Sequence, residues 1–268
     1  MIESAPSLDF KIIDETDDYA VVDKPPFLLI HPTKPDGTRT LWQELRGLFA
    51  FEIAAGGQVS IVNRLDRETS GLVLVAKKAD VARRFGLLMQ RRQLKKEYLA
   101  IVCGWPTWES TLVDAALDRQ GKHQHSAIWL KQMIHPSGAP AQTELHVEHR
   151  FVRSPGRARA ELARRGEDTP PERVRVSEKF SLIRAIPRTG RTHQIRVHLA
   201  SLGHPIVGDK IYGPDEQLYL RFIEGGWTSE LERHLLLPRH ALHSARLAIE
   251  SEHEWTSPLP SDLTELIG

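Results

Sequence analysis

The sequence predicts an α+β fold with a largely antiparallel central sheet, flanked by helices and loops. Three observations lead to this class. Short runs typical of strands recur along the chain, apolar residues at helical spacing separate some of them, and the elements do not alternate as strictly as in a parallel βαβ fold. With 268 residues, 40% of them hydrophobic and 26% charged, we expect a single domain over 1–268, with its core at about 10–260.

Six segments have strand character. The run 72–76 is wholly apolar, which is the pattern of a central strand buried on both faces. The first predicted strand is closed by Pro25 and Pro26, which cannot donate hydrogen bonds to a sheet. The predicted strands are 19–22, 72–76, 97–102, 142–150, 179–186 and 239–250.

Three helices are predicted from a capping side chain followed by apolar residues at helical spacing. The caps are Thr40, Asp80 and Thr192. The residues expected to face the core are Leu41, Leu45, Leu48 and Phe49, then Val81, Phe85, Leu88 and Met89, and finally Ile195, Leu199 and Leu202. Gly203 ends the third helix, and Pro258 with Pro260 predicts a short extended tail.

The segment 153–176 is rich in Arg, Ala, Glu and Pro. This composition predicts a surface insertion rather than a part of the core. Two roles remain open for it, a contact with RNA or a mobile surface loop.

The N-terminal residues 1–6 have neither a basic start nor an apolar run behind them, which argues against a signal peptide. Charges interrupt every apolar run before it reaches the length of a membrane span. The lone cysteine, Cys103, suits a reducing compartment and is expected to be a buried core residue. We therefore expect a cytoplasmic protein that does not bind a membrane.

The net charge of +1 indicates little, but the basic residues are clustered. One cluster comprises Arg83, Arg84, Arg91, Arg92, Lys95 and Lys96, and a second comprises Arg188, Arg191 and Arg196. Such patches are compatible with binding a phosphate backbone. From charge alone, a solvated surface is the favoured interpretation.

The stretch 63–71, NRLDRETSG, places one carboxylate, Asp66, between Arg64 and Arg67. Neighbouring cations favour the ionised form, which can attack as a nucleophile or accept a proton. The small residues that follow can form a tight turn and let another backbone approach closely. Composition alone favours a simple turn aspartate in a surface ion pair, because such pairs are common and structural.

The same stretch resembles the H-R-L-D-x-x-T-S-G signature of the RluA-type pseudouridine synthases. Three more segments are similar to that family, in the family's order. They are VDKPP at 22–26 with IHPT at 30–33, KEYLA at 96–100, and GRTHQIRVHL at 190–199 continuing to GHPIVGD at 203–209. The resemblance extends from about residue 20 to about residue 213, and it implies the pseudouridine synthase catalytic fold.

The resemblance implies three catalytic roles. Asp66 matches the catalytic aspartate, Tyr98 the tyrosine that packs against the target uracil, and Arg196 the basic residue that pairs with the carboxylate. Without the family, Tyr98 would be interpreted as a core aromatic and Arg196 as a solvated helix charge. Asn63 stands where the family most often has His, and its amide keeps a donor and an acceptor with which to brace the turn.

The residue chemistry agrees with the implied reaction. Conversion of uridine to pseudouridine breaks the N1–C1′ bond and rejoins the base through C5, so nothing is oxidised and no cofactor is expected. A carboxylate can attack C1′ or C6, an aromatic ring can hold the detached base, and the base is reached by flipping it from its stack. We expect no metal, because His193 and His198 are five residues apart, and His123 and His125 lack a carboxylate or Cys partner.

The expected partner is RNA, as a stem-loop of rRNA or tRNA, bound by a monomer without an appended N-terminal RNA-binding module. In the family, a residue at the position of Arg64 can fill the gap left by the flipped nucleotide. The side chains expected to contact RNA are Arg64, Arg67, Arg84, Arg91, Arg191 and His193.

Two rival functions make different demands on the sequence. An RNA-binding protein on this fold that has lost catalysis predicts damage at Asp66, Tyr98 or Arg196, and all three are intact. A hydrolase or phosphotransferase that uses Asp66 normally needs a second carboxylate and Mg²⁺, and no acidic partner stands at a motif-like spacing.

Overall fold

The computed structural model describes residues 10–32, 37–153, 179–250 and 252–268. The chain divides into two compact units. The first comprises Met1–Tyr98 and His243–Pro258, and the second comprises Leu99–Leu242 and Leu259–Gly268. Nearly all of the predicted surface insertion at 153–176, and Thr33 of the IHPT segment, lie outside the described residues.

The elements confirm the α+β class. The strands are β1 Lys11–Glu15, β2 Tyr19–Lys24, β3 Ser60–Ile61, β4 Ser70–Ala76, β5 Leu94–Cys103, β6 Ser110–Asp114, β7 Leu117–Arg119, β8 Gln132–Ile134, β9 Gln142–Val152, β10 Lys179–Pro187, β11 Leu242–Ile249 and β12 His253–Thr256. The helices are α1 Leu41–Leu48, α2 Ala50–Ala54, α3 Ala79–Gln90, α4 Gln194–Ser201, α5 Gln217–Gly225, α6 Ser229–Leu235 and α7 Ser261–Ile267, with a 3₁₀ turn at Gln120–Lys122.

The sheet of the first unit has the order β1-β2-β4-β11, followed by the first half of β5. β1, β2 and β4 pair antiparallel, and β3 and β12 add antiparallel pairs to β4 and β11. The pairing of β4 with β11 is parallel, with Ser70 opposite His243 and Gly71 opposite Ser244. All seven residues of β4 are buried, which confirms the central strand predicted at 72–76.

Helix α1 begins as predicted. The Thr40 side chain accepts a hydrogen bond from the Gln43 backbone N–H at 3.3 Å, and Leu41, Leu45 and Phe49 are buried. Leu48 is exposed, so its predicted place on the core face was wrong. Three positions therefore suffice to fix this short helix against the core.

Helix α3 packs its predicted face on the sheet of the first unit. Val81 and Phe85 are buried there, and Leu88 and Met89 pack against the same core. The predicted cap was wrong, because the helix begins at Ala79 after Lys78, whose backbone is extended. Asp80 instead lies in the first turn, where its charge complements the helix dipole.

The second unit contains the antiparallel strands β10, β9 and β6 beside the second half of β5, and a two-stranded ribbon of β7 and β8. Helix α4 buries Ile195 and Leu199, as predicted, whereas Leu202 is exposed. Thr192 is not its cap, since the helix begins at Gln194 after His193, which is left-handed with φ 56°. The Gln194 side chain accepts a hydrogen bond from the Arg191 backbone N–H at 3.0 Å, which ties the preceding turn to the helix.

The C-terminal residues were predicted wrongly as an extended tail. They form α7, which buries Leu263 and Leu266. Its Asp262 accepts two hydrogen bonds from the fully buried Arg239, at 2.6 Å from Nε and 2.9 Å from Nη2. Arg239 therefore belongs to an ion pair that holds this helix, and the strand predicted from 239 begins only at Leu242.

Candidate active site

Asp66 lies in the tight turn that leads into β4. The Thr69 N–H donates to the Asp66 carbonyl at 3.1 Å, and Thr69 and Ser70 are buried. The side chain of Asp66 is half-buried. A carboxylate in this setting is held in a defined place yet stays accessible to a substrate.

Asn63 braces this turn against β4 with both ends of its amide. Its Nδ2 donates to the Leu72 carbonyl at 3.0 Å, and its Oδ1 accepts from the Leu74 N–H at 2.8 Å. The residue is buried. The amide therefore supplies the donor and the acceptor that the sequence led us to expect of the residue in place of His.

Lys24 fixes the other side of the turn. The side chain is completely buried, and its Nζ donates to the carbonyls of Pro25 at 2.8 Å, Leu28 at 2.9 Å and Arg67 at 3.2 Å. A buried ammonium needs such acceptors to offset its desolvation. Because Arg67 follows Asp66 directly, the buried cation positions the backbone beside the candidate nucleophile.

Gly71 allows the closest backbone approach in this part of the site. Its φ is +108°, and a Cβ placed there would lie 2.3 Å from the Ser244 carbonyl oxygen and 2.6 Å from the Ser244 nitrogen. No other residue fits at that separation. The glycine of the signature is thus required by the parallel pairing of β4 with β11.

Tyr98 lies close enough to Asp66 for the two to interact electrostatically. The ring is buried, and its hydroxyl is hydrogen-bonded to the side chain of Ser244. Burial, with a contribution from the Asp66 charge, raises the pKa of Tyr98 to about 12. The structure therefore brings together a carboxylate and a phenol that stays neutral at physiological pH.

A buried polar chain supports the start of β4. Ser70 Oγ lies 3.0 Å from His243 Nδ1, and His243 Nε2 lies 3.2 Å from the Ser257 carbonyl oxygen. The Ser257 hydroxyl in turn donates to Asp23 at 2.8 Å. These contacts join the signature to β11, to the residue that follows β12 and to the end of β2.

Two candidate RNA-binding arginines flank Asp66. Arg64 and Arg67 are both exposed, and Arg67 Nε donates to the Phe27 carbonyl at 3.4 Å. Burial and the charge of Arg64 lower the pKa of His31. His31 therefore stays neutral at physiological pH beside a guanidinium that faces solvent.

In the second unit, Arg196 is buried rather than solvated. Its Nε donates to Asp209 Oδ2 at 2.6 Å and its Nη2 to Oδ1 at 2.9 Å. Burial alone would raise the pKa of the Asp209 carboxyl, but Arg196 and the nearby His240 hold this pKa well below its usual range. The fork geometry of this pair fixes the plane of the guanidinium.

The loop after Gly208 holds Asp209 in place. The Asp209 carboxylate also accepts from the backbone N–H groups of Ile211 and Tyr212, each at 3.0 Å. Gly208 has φ +78°, and a Cβ there would lie 1.9 Å from the Arg239 carbonyl oxygen. The GHPIVGD segment thus supplies the carboxylate that orients Arg196.

The histidines near α4 are held by hydrogen bonds. His193 Nδ1 lies 2.8 Å from the Tyr212 hydroxyl oxygen, and the buried His198 lies 2.8 Å from Thr143 Oγ1 and 3.0 Å from the Ala115 carbonyl oxygen. Arg191 is exposed, and its Nε donates to the Pro140 carbonyl at 3.1 Å. Within the described ranges, no cluster of three or more His, Cys, Asp or Glu residues could hold a metal ion.

Two basic residues around α3 have acidic partners. Arg84 forms an ion pair with Glu252, and Lys95 lies 3.7 Å from Glu250. Arg91 is exposed at the end of the helix. It forms no ion pair with any residue that the structure describes.

Sequence reasoning assigned no role to several residues that organise the site. They are Lys24, Asp209, His243 and Ser244. The signal for Lys24 and Asp209 was present, since both lie in segments that resemble the family. His243 and Ser244 lie in an ordinary strand sequence, and only the pairing of β11 with β4 brings them to the turn.

Comparison with solved structures supports the fold. The structure titled Human RNA Pseudouridylate Synthase Domain Containing 4 is similar with a TM-score of 0.65 and 21% sequence identity, over 95% of this chain and 90% of that one. The corresponding Domain Containing 1 structure has a TM-score of 0.62 and 24% identity, over 95% and 86%. The pseudouridine synthase fold expected from the sequence is confirmed.

Sequence comparison identifies the family. A family model described as RNA pseudouridylate synthase matches residues 18–201. Ribosomal large subunit pseudouridine synthase D of Nitrosomonas europaea is 31% identical over 271 residues, covering 98% of this chain and 66% of the relative. The protein of that name from Escherichia coli K12 is 32% identical over 265 residues, covering 96% and 69%.

This chain thus spans about two thirds of the length of these curated relatives. The signature turn around Asp66, the neighbouring Tyr98 and the overall topology all agree with the family match. The chain belongs to the RNA pseudouridylate synthase family, whose members are isomerases that convert uridine into pseudouridine in RNA.

Proposed function

We propose that this chain isomerises specific uridines of large-subunit ribosomal RNA to pseudouridine, with Asp66 as the nucleophile. The observation that carries the proposal is the pairing of a half-buried carboxylate, in a turn braced by Asn63 and Lys24, with the neutral phenol of Tyr98. The names of the relatives favour ribosomal RNA over transfer RNA as the substrate.

In the proposed mechanism, the Asp66 carboxylate attacks C1′ or C6 of the flipped uridine and forms a covalent intermediate. The N1–C1′ bond breaks, the base rotates, and the C5–C1′ bond forms. The bond between Asp66 and the substrate then breaks, either by displacement at C1′ or by elimination from C6, and the carboxylate is regenerated. The proton on C5 is then lost and N1 gains a proton, so the reaction is balanced without an oxidant. Tyr98 offers a ring on which the detached uracil stacks, and Arg196 is the guanidinium assigned to orient the carboxylate.

We propose that the RNA is contacted by basic side chains of both units, namely Arg64, Arg67, Arg91, Arg191 and His193. Arg84 is proposed as a weaker contributor, because it pairs with Glu252. We propose a single catalytic domain that acts as a monomer.

A cytoplasmic location is also proposed. The lone Cys103 supports it, because a single cysteine cannot form an internal disulfide and suits a reducing compartment. Among the described residues, no helix is long and apolar enough to cross a membrane.

The direct test is to map pseudouridines in ribosomal and transfer RNA from cells that lack the gene. We expect one or a few large-subunit positions to lose the modification, and plasmid-borne wild type to restore them. Asp66→Asn should not restore them, since loss of a nucleophile costs on the order of 10⁶-fold in rate. Glu68→Gln, which removes the other carboxylate of the same signature, should restore them.

Two results would contradict the proposal. If ribosomal sites were unchanged and transfer RNA sites were lost, the substrate would be wrong although the activity would stand. If Asp66→Asn restored the sites as well as wild type, the assignment of the nucleophile would fail.

A further inference from the structure

The second unit presents an exposed tryptophan that belongs to none of the family-like segments. Trp129 is 72% exposed and lies in the loop between β7 and β8. The guanidinium carbon of Arg119 lies 3.8 Å from the centre of its ring. Because the guanidinium covers one face of the indole, the exposed area comes from the other face and the edge.

Among the described residues, no carboxylate pairs with Arg119, and its buried Nε has no hydrogen-bond acceptor there. The neighbouring Asp118 is already engaged, at 2.8 Å from Lys122 Nζ and 2.9 Å from His123 Nε2. These contacts, led by the one from Lys122, hold the pKa of Asp118 well below its usual range, so it stays a paired anion.

The loop that carries Trp129 is anchored. Ile128, next to it, is buried in a core cluster with Leu117 and Tyr212. The Gln120 N–H donates to the Lys131 carbonyl at 2.8 Å. The exposed ring is therefore presented from a fixed position, which lowers the entropic cost of binding a ligand to it.

A second aromatic pair lies on the same ribbon. The rings of His123 and His135 stack 3.6 Å apart at an interplanar angle of 16°, and the side chain of His135 also contacts Ser137 at 2.7 Å. This pair adds flat aromatic surface to the second unit. Arg119 and Trp129, joined by their 3.8 Å contact, are called the ribbon platform below.

We propose that the ribbon platform binds an unpaired nucleotide of the RNA substrate, outside the catalytic residues. The base stacks on the free face of Trp129, and the guanidinium of Arg119 attracts the adjoining phosphate. Base–aromatic stacking tolerates any base, and an unneutralised arginine suits a phosphate anion. The identity of the partner as RNA rests on the proposed function.

An exposed tryptophan could also bind a protein partner. Charge favours RNA, because the guanidinium under the ring lacks a carboxylate partner among the described residues. The neighbouring acid, Asp118, is held by Lys122 and His123. A protein partner would leave RNA affinity independent of Trp129.

The test is a binding titration of the full chain with a short single-stranded oligouridylate and with an RNA duplex that has no unpaired bases. Trp129→Ala should weaken binding to the single strand on the order of ten-fold and leave duplex binding unchanged, because only an unpaired base can stack on the ring. Trp129→Phe should retain most of the affinity. Arg119→Lys should fall between these variants, since it keeps the charge but loses the flat stack.

Phe51→Ala is the matched control, because Phe51 is 87% exposed on the short helix α2 of the other unit. It should bind both RNAs as wild type does. If Trp129→Ala and the control bound the single strand equally well, or if Trp129→Ala weakened duplex binding to the same extent, the platform would be overturned. If Trp129→Ala fails to fold, Arg119→Lys takes its place, and an affinity for the single strand equal to that of wild type in Arg119→Lys would also overturn the platform.

Turnover separates this inference from the proposed function. Trp129→Ala should raise KM for the RNA substrate and leave kcat unchanged, whereas Asp66→Asn should abolish kcat and leave oligouridylate binding unchanged. Loss of oligouridylate binding in Trp129→Ala supports the platform even if no ribosomal site is found for the enzyme.

Discussion

Arg196 and Asp209 form a buried bidentate ion pair, with Nε 2.6 Å from Oδ2 and Nη2 2.9 Å from Oδ1. Removing one charge of a buried pair leaves the other poorly compensated, so Asp209→Asn should lower the free energy of unfolding by about 3–5 kcal/mol. Urea denaturation at neutral pH would measure this. Asp262→Asn removes the partner of Arg239, but Asp262 is 43% exposed. The free energy of unfolding should therefore fall distinctly less in this variant. Equal losses in the two variants would contradict this ranking.

The Arg196–Asp209 pair should also make the stability of the fold depend on pH in the acidic range. The folded-state pKa of Asp209 is depressed, so its stabilising contribution is present above the unfolded pKa of about 3.9 and is lost as pH falls through the folded value. Asp209→Asn should therefore lose less stability between neutral and acidic pH than wild type. Urea midpoints measured over this range in both proteins test the point, and parallel pH profiles would refute it.

Asn63 should contribute to stability through the hydrogen bonds that it makes with β4. Asn63→Ala leaves the Leu74 N–H buried without its partner, while the Leu72 carbonyl keeps the hydroxyl of Ser244 at 3.3 Å. We expect a loss of about 1–3 kcal/mol, as for one unsatisfied buried group. Asn63→His, which introduces the usual residue of the family signature, should fold and retain pseudouridine formation. An Asn63→Ala protein as stable as wild type would show that water replaces the amide.

Tyr98 should make the protein sensitive to alkali. Its pKa is raised to about 12, mainly by burial, so its stabilising contribution is complete below the unfolded pKa of about 10 and is lost as pH rises toward the folded value. The shift of about two pKa units corresponds to about 3 kcal/mol. Tyr98→Phe should remove this part of the alkaline loss and keep the ring that stacks on the base.

A second buried tyrosine, Tyr19, should also contribute to the loss of stability of wild type at alkaline pH, and it provides the control. Burial and then Asp14 raise the pKa of Tyr19 to about 12 as well. The free energy of unfolding should therefore fall less between mildly and strongly alkaline pH in Tyr98→Phe than in wild type, and the same should hold for Tyr19→Phe. If neither variant differed from wild type, the loss of stability in alkali would be assigned to other groups.

Neutralising Arg84 and Arg91 together should weaken binding to all RNAs alike. Because Arg84 already pairs with Glu252, Arg91 should carry most of the effect, and the salt dependence of log K should fall by about one unit rather than two. Titrations at several salt concentrations, with Arg91→Gln alone as the comparison, measure this. An unchanged slope in the double variant would leave the arginines as a solubilising helix face.

The sequence by itself determined the features that rest on short stretches of chain. The apolar run 72–76 predicted a buried central strand, the Thr40 cap set the start of α1, and Val81 with Phe85 defined the core face of α3. Periodicity and capping depend on residues within about one or two helical turns. The four family-like segments, in the order of the family, also predicted the function, because each segment is short and specific.

Only the tertiary structure decided the caps of α3 and α4, the helical tail and the partners of the buried charges. Extended backbone at Lys78 and a left-handed His193 begin helices where Asp80 and Thr192 looked better suited. Lys24 meets the carbonyl of a residue 43 positions away, and Ser244 closes on Gly71 across the parallel pairing of two strands. Contacts at such separations follow from the pairing register and from the need to satisfy buried polar groups, which no short window of sequence contains.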